Sequence, residues 1–495
     1  MKLSGLCFKS KNRCALYCLS ILSICSIVCI ATEAFSLHVS QIATALDKAL
    51  LDKRINNAVV GIKIKSLHTQ EVIYQRNVNT LFNPASNLKL ITAATALFYL
   101  KPEYTFKTTL YRDGSLTEDG VLKGNLYIKG GGNPCLEYEE LWGIAQKIKN
   151  MGIKTIEGDL IGDESFFDTK RICDEWENGS GTKWYNPRIS ALSLGDNTIS
   201  IHVKPADAID EPLEAWITPS TEFVKILNQT RTRSTKGRSI IVDRIFVNGH
   251  NYVSLKGSMS QSYDPVIYIR NVEDPSLYLL TVFKELLESC NVMIKGKLSS
   301  DKVPESSEKI AVHTSPPLAT VIQSMNKISS NFIAEQIVKV LGAEFYGPPG
   351  STSHGIEVIK YYLTHHVKAD PQSFIIVDGS GLSPHNRISP ALVINLLEYV
   401  YRDFKYKYEF VSSLPIGGID GTLSDRLIDS EARRRVRAKS GRLRHTSSLS
   451  GYAITEDNEE LAFSILVNNA KITLEKVNDW QDTLMNIIIS PTRKE

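Results

Sequence analysis

Beyond residue 36 the chain has little cysteine. Of its 8 cysteines, Cys7, Cys14, Cys18, Cys25 and Cys29 precede that point, leaving Cys135, Cys173 and Cys290. Three is an odd number, and too few for a disulfide framework or a structural zinc site. The histidines, His365-His366 among them, lack metal-ligand spacing, so no metal and no cofactor is expected. Internal repeats and low-complexity stretches are missing too. Charge is close to balanced: a formal net of +3 over 495 residues selects no class of partner. The N-terminus does carry a distinct pattern. Lys2, Lys9, Lys11 and Arg13 precede the apolar run Ala15 to Ile30, and small residues surround Ala34, which reads as an export signal over 1–34. The run is near the lower length limit for a membrane span, so an uncleaved anchor is the alternative. The expected location is outside the cytoplasmic membrane, periplasmic where there is an outer one.

The most informative stretch is Asn83-Pro84-Ala85-Ser86-Asn87-Leu88-Lys89, followed by the apolar run Leu90 to Leu97. Asn83 suits an N-cap and Pro84 the first helical position, so Ser86 falls in the first turn of a buried helix with Lys89 one turn on. Backbone N–H groups at such an end lack intrahelical partners and can bind developing negative charge. Ser-x-x-Lys also occurs at Ser180, Ser299, Ser306 and Ser324, but only the Ser86 copy has a capping signal before it and a long apolar helix after it.

Strand-like alternation at 58–64 and 71–74 leads into this helix. From about Lys101 to Lys309 the chain becomes strand-rich, with one helix near Tyr138 to Met151 and a Gly-rich turn at 130–132. Helical periodicity then returns. Leu318 to Lys327 and Phe332 to Leu341 read as helices joined by an extended Ile328-Ser329-Ser330-Asn331, which would turn Ser329 and Asn331 to one side. The bland alternative is that Asn331 merely caps the second helix. Two Gly- and Asp-rich loops follow, Asp378 to Pro384 and Gly417 to Thr422, and then the basic run Arg433 to Arg444. In an exported protein that run suits an anionic small substrate better than nucleic acid. A meander with Lys439-Ser440-Gly441 on its first strand and a helix from about Leu474 to Ile488 close the chain.

Ser86-x-x-Lys89, Ser329-x-Asn331 and Lys439-Ser440-Gly441, in that order, resemble the three-part signature of penicillin-recognising serine enzymes. The first two elements lie 243 residues apart and the last two 110. Class A β-lactamases have a far shorter first gap, and no Glu-x-x-Leu-Asn element stands where they carry their deacylating glutamate. The layout is similar to the class C low-molecular-mass penicillin-binding proteins, the D-alanyl-D-alanine carboxypeptidase/endopeptidase family. Gly158 to Asp163, Ala191 to Leu194, Asp378 to Ser383, Asp420 to Leu423 and Leu449 to Tyr452 also look like that family's segments in that family's order.

The resemblance implies an α/β (α+β) fold, an antiparallel sheet flanked by helices in a transpeptidase-like domain interrupted by strand-rich insertions. The expected division is 35–100 with 310–495 for the catalytic domain, 101–168 with 255–309 for the first insertion and 169–254 for a second nested inside it. It implies an acyl-enzyme on Ser86, with Lys89 as base, Ser329 relaying the proton to the leaving amine while Lys439 polarises it, and Asn331 holding Lys89 and the substrate amide. Ser440, Gly441 and Arg442 would line the substrate-carboxylate side, with Ser86 and Arg442 N–H groups as the oxyanion hole. Asp163 and Phe167 match residues that bind a stem-peptide diamino acid. Family members carry arginine after Gly-Leu-Ser, where this chain has Pro384, and Arg444 is the expected substitute. Implied partners are peptidoglycan stem peptides and β-lactams as inhibitors, with no nucleic acid, and peripheral membrane association is compatible with this. A β-lactamase and a non-catalytic cell-wall-binding protein of the same fold are the competing readings.

Overall fold

The computed structural model describes residues 39–177 and 181–491, so the expected signal at 1–34 lies outside the described residues. Its centre is a five-stranded antiparallel sheet in the order Val72–Arg76, Val59–Ser66, Glu460–Asn468, Thr446–Ile454, Val436–Leu443. Side chains alternate across a strand, and here both faces are covered. Leu461, Phe463, Ile465 and Val467 pack under helix 39–49 and helix Leu474–Ile488, whereas Ala462 and Leu466 join the core built by the helices on the other face. Burial along Thr446–Ile454 is therefore continuous, not alternating.

The helical face contains Lys89–Tyr99, Leu318–Ile328, Asn331–Tyr346, Thr352–His365 and Pro390–Arg402. Asn331–Tyr346 is buried from Asn331 to Ala343 because it is packed on every side. Part of that cover comes from the inserted region: Lys339 pairs with Asp168 at 2.5 Å, and Gln336 Nε2 donates to Ser190 O at 2.9 Å.

In the inserted region a mixed sheet runs Leu298–Ser300, Leu160–Asp163, Leu126–Gly130, Lys107–Arg112, Glu308–Thr314. Helices Tyr138–Asn150 and Pro275–Ser289 contribute to its core. Inside it lie two three-stranded sheets, Glu214–Thr218 with Thr198–Lys204 and Val266–Asn271, and Val224–Arg233 with His250–Ser260 and Arg238–Val247. Strand pairing carries the nested sheets past residue 254 to Asn271, and the outer sheet past 309 to Thr314. No helix among the described residues is long and apolar enough to cross a membrane.

Trp480 is fully buried under the central sheet, and its Nε1 donates to Ala49 O at 2.9 Å. Trp480→Ala is expected to destabilise the protein by about 3–5 kcal/mol, read as a lower denaturant midpoint. Trp142→Ala, at a ring 48% exposed, should shift it little.

Candidate active site

The site is assembled where the helical face meets the edge strand of the sheet. Asn83 is fixed first: its N–H donates to Asn468 Oδ1 at 2.8 Å, and Asn468 Nδ2 donates back to Asn83 O at 3.1 Å. The Asn83 side-chain oxygen takes the Ala85 N–H at 2.8 Å, as a cap would. The helix does not start as the sequence suggests, because Ala85 stands in the left-handed region at φ 47°. A 3-10 turn Ala85–Leu88 intervenes before the α-helix Lys89–Tyr99. Such a conformation costs a non-glycine residue roughly 1 kcal/mol or more and persists only when its surroundings enforce it. Gly381 and Gly441 are those surroundings: a Cβ on Gly381 would lie 1.9 Å from Ala85 O, and one on Gly441 2.8 Å from both Pro84 O and Ser86 N.

Lys89 is fully buried and its Nζ has three partners: Ser86 Oγ at 3.0 Å, Asn331 Oδ1 at 2.7 Å and Ser380 O at 2.7 Å. Two of these are acceptors only. An uncharged amine therefore gives its two hydrogens to Asn331 and Ser380 and keeps its lone pair for the Ser86 hydroxyl proton. Burial pushes the Lys89 pKa down to about 7, against the opposing charges of Asp378 and Glu335.

Asn331 reaches Lys89 by a route different from the expected one. The connection between the helices is not extended. Ser329 is a left-handed C-cap at φ 61°, and Ser330 caps the next helix by accepting from Ile333 N. Asn331 is thus released from capping, and its Nδ2 donates to Tyr185 O at 2.8 Å, which turns its oxygen toward Lys89. Ser329 Oγ accepts from Lys439 Nζ at 2.8 Å. Lys439 Nζ also donates to Ser440 O at 2.8 Å. Its pKa is held well below the usual lysine value, by burial first and then by the charge of Lys89.

Lys439 belongs to Val436–Leu443, the outermost strand of the sheet. Val436 O accepts from Gly417 N and Ala438 N donates to Pro415 O, each at 2.9 Å, so the backbone groups of these residues point away from the sheet. The two-residue period puts the N–H groups of Ser440 and Arg442 on that same edge. Ser440 Oγ donates to Thr422 Oγ1 at 2.7 Å.

Three expected site residues are engaged elsewhere. The Asp163 carboxylate is buried, paired with Lys129 at 2.9 Å and accepting from Val303 N and Ser165 N. Phe167 is a core residue, packed on Gly132 and Val340. Arg444 is not on the strand at all: with His445, at φ 60°, it forms the turn of the hairpin.

Sequence reasoning missed what holds Lys89. Glu335 and Asp378 are both buried. Glu335 Oε1 accepts from Gly379 N at 3.0 Å and Ser380 N at 2.8 Å. Asp378 accepts from Gly381 N, Ser383 N, Asn386 Nδ2 and Trp176 Nε1 at 2.7–2.9 Å. These two carboxyls shape the loop whose Ser380 carbonyl holds Lys89. Burial pushes both pKa values up, helped at Glu335 by the charge of Asp378 and opposed at both by the hydrogen bonds they accept. The loop's Gly and Asp content was a visible signal; Glu335, one turn after Asn331, carried none.

A serine hydroxyl offered to a buried lysine, with a second serine and lysine beside it, defines a lysine-activated serine hydrolase of the penicillin-recognising kind. The chain belongs to the D-Ala-D-Ala carboxypeptidase 3 (S13) family, which residues 42–488 match, and is a serine-type carboxypeptidase of that class. A D-alanyl-D-alanine carboxypeptidase of Actinomadura sp. is 30% identical over 452 residues, 88% of this chain and 82% of that one. The carboxypeptidase DacB of Haemophilus influenzae is 27% identical over 423 residues, 85% of this chain and 87% of its own length. The crystal structure of penicillin binding protein 4 from Haemophilus influenzae has the same fold, with a TM-score of 0.79 at 24% identity over 92% of this chain and 99% of that one.

Two outcomes follow from the geometry. Lys89 accepts a proton only when uncharged, and its pKa lies near 7. Ser86 acylation should therefore fall about tenfold per pH unit below that value and level off above it, measured as kcat/KM against pH. Gly441→Ala would set a Cβ 2.2 Å from Ser448 Oγ and 2.8 Å from Ser86 N. It should slow acylation about 10²-fold and lower the unfolding midpoint.

Proposed function

We propose that this protein hydrolyses the D-alanyl-D-alanine ends of peptidoglycan stem peptides, or D-alanyl cross-links, outside the cytoplasmic membrane, and that β-lactams acylate it. The observation that carries the reading is the buried Lys89 amine, bound to Asn331 and Ser380 and facing the Ser86 hydroxyl.

Ser86 Oγ attacks the carbonyl carbon of the scissile D-alanyl peptide bond while its proton passes to Lys89 Nζ. The new C–O bond forms, and the carbonyl oxygen becomes an oxyanion facing the N–H groups of Ser86 and Arg442. Each such donor is worth roughly 3 kcal/mol. The C–N bond then breaks as Lys89 passes its new proton to Ser329 and Ser329 gives its own to the leaving amine, with Lys439 polarising the relay, so Lys89 is left uncharged. Lys439, with the Ser440 hydroxyl, binds the terminal carboxylate. Gly441 lets the Ser86 turn lie against the strand. Water hydrolyses the acyl-enzyme with Lys89 again as the base. Deep burial favours an uncharged Lys439, and an arriving carboxylate supplies the counter-charge that returns its proton.

The chain divides, on this reading, into a catalytic domain around the five-stranded sheet, an inserted domain around the mixed sheet and a nested one around the two three-stranded sheets. The β-lactam part of the reading is supported by the penicillin binding protein 4 of Haemophilus influenzae, which forms a complex with a β-lactam.

Fluorescent penicillin should label the purified protein durably. Ser86→Ala should abolish labelling and Lys89→Met should slow it by about 10³-fold. Mass spectrometry of muropeptides should then show loss of terminal D-alanine or of cross-links. Rapid turnover of the penicillin would favour a β-lactamase instead, and absent labelling a binding protein.

A further inference from the structure

The nested insertion carries an apolar surface that its own fold leaves in water. In the sheet of Glu214–Thr218, Thr198–Lys204 and Val266–Asn271, the inward residues Ile199, Ile201 and Val203 are buried in the core of the inserted region. Side chains alternate across a strand, so the opposite face looks outward, and in an antiparallel sheet a solvated face is normally polar. Here it is not. Register puts Trp216, His202 and Ile267 in one row across the three strands, and Thr218, Ser200 and Ile269 in the next. Trp216 is 43% exposed, Ile267 59% and Ile269 39%. Exposed apolar side chains grouped in this way mark a surface for binding.

The central row is held in place. The rings of His202 and Trp216 are stacked, 6° from parallel with centroids 5.0 Å apart, and His202 Nε2 lies 3.0 Å from Thr218 Oγ1. His202 thus covers one face of the indole. Trp216 stands on an edge strand, so no strand of that sheet lies beyond its other face. Charge narrows the choice of ligand. Beside the row Lys204 and Glu214 pair with each other at 2.9 Å, so the face selects neither an anionic nor a cationic polymer. An indole face with hydroxyls of Ser200 and Thr218 one row away suits a neutral pyranose, whose C–H face is apolar and whose rim is polar. Position agrees with this. The strand bearing Ile267 and Ile269 ends at Asn271, whose Nδ2 donates to Gly181 O at 2.9 Å and Asn186 O at 2.6 Å, and Asn186 follows Tyr185, the residue whose carbonyl orients Asn331. The face is therefore tied to the active site through one short path.

We propose that the sheet face around Trp216 and His202 binds the glycan strand of peptidoglycan, an N-acetylhexosamine ring stacking on the free face of Trp216. The choice of polymer rests on the peptidase reading above, because the stem peptides cleaved there hang from that glycan. The nested insertion then holds the polymer while Ser86 acts on its peptides.

The test titrates the full chain calorimetrically with N-acetylated chitotetraose and co-sediments it with glycan strands stripped of their peptides. The unaltered protein should bind both. Trp216→Ala should weaken binding about tenfold, and Ile267→Glu, which sets a charge in the same row, should weaken it too. Trp142→Ala, at an exposed ring on helix Tyr138–Asn150, should bind as the unaltered protein does. On intact peptidoglycan Trp216→Ala should lose more activity than on a soluble stem pentapeptide. Absence of glycan binding in the unaltered protein would overturn the proposal, as would full affinity in both Trp216→Ala and Ile267→Glu. Equilibrium sedimentation showing a dimer that Trp216→Ala dissociates would give the face to a second copy of the chain and overturn it as well. A protein that binds the glycan yet cleaves no stem peptide would uphold the glycan site and overturn the peptidase reading alone.

Discussion

One amine, buried without a salt bridge, organises this molecule. Taking a charged lysine out of water costs several kcal/mol unless an anion sits against it, and the nearest groups to Lys89 Nζ are a hydroxyl, an amide oxygen and a backbone carbonyl. None of them is charged. The cheapest way to keep Lys89 there is to leave it without its proton, and that same state is the one able to take a proton from Ser86. Burial and reactivity are thus one fact about this residue. The structure around it is arranged to tolerate the burial: Asn331 from one helix and Ser380 from a loop take its hydrogens, so that no donor is left unsatisfied.

The two buried carboxyls temper this. Glu335 and Asp378 raise the Lys89 pKa through their charges while desolvation lowers it, and desolvation wins. Their own pKa values move up for the same reason. What they do without ambiguity is mechanical. Six hydrogen bonds from backbone and side-chain donors shape the loop 378–383 around them, and Thr92 Oγ1 fastens the loop to the Lys89 helix by donating to Gly379 O at 2.7 Å. A loop made mostly of small residues would otherwise have many conformations, and a base held by one of its carbonyls would have as many positions.

Against this frame the sequence was legible in some places and mute in others. The helix beginning at Leu474 could be read because apolar residues recur at the helical period. The motif residues Ser86, Lys89, Ser329, Asn331 and Lys439 are brought together, as the resemblance carried by their motifs implied. Local geometry was another matter. Nothing in Asn83-Pro84-Ala85 announces a left-handed alanine, since it is imposed by Gly381 and Gly441, nearly three hundred and more than three hundred residues away. Ser330, not Asn331, caps its helix because Ser329 has already turned left-handed. Asp163 could not be seen to be occupied, because Lys129 faces it from a neighbouring strand aligned by a parallel pairing.

The insertion is the part of the chain whose connection to catalysis was least visible, and the contacts give it a physical role. Several of its residues reach the catalytic helix and loop, among them Tyr185 O at Asn331, Ser190 O at Gln336 and Trp176 Nε1 at Asp378. The first matters most for the chemistry. An asparagine amide can point either end at a lysine, and a neutral amine with its lone pair turned to Ser86 needs acceptors, not another donor, on its other sides. By taking the Nδ2 hydrogen, Tyr185 O leaves the oxygen as the end available to Lys89. The protonation geometry of the base is therefore set partly by a carbonyl from the inserted region, and a change in how that region seats against Asn331–Tyr346 would be felt at Ser86 without any catalytic side chain having been replaced.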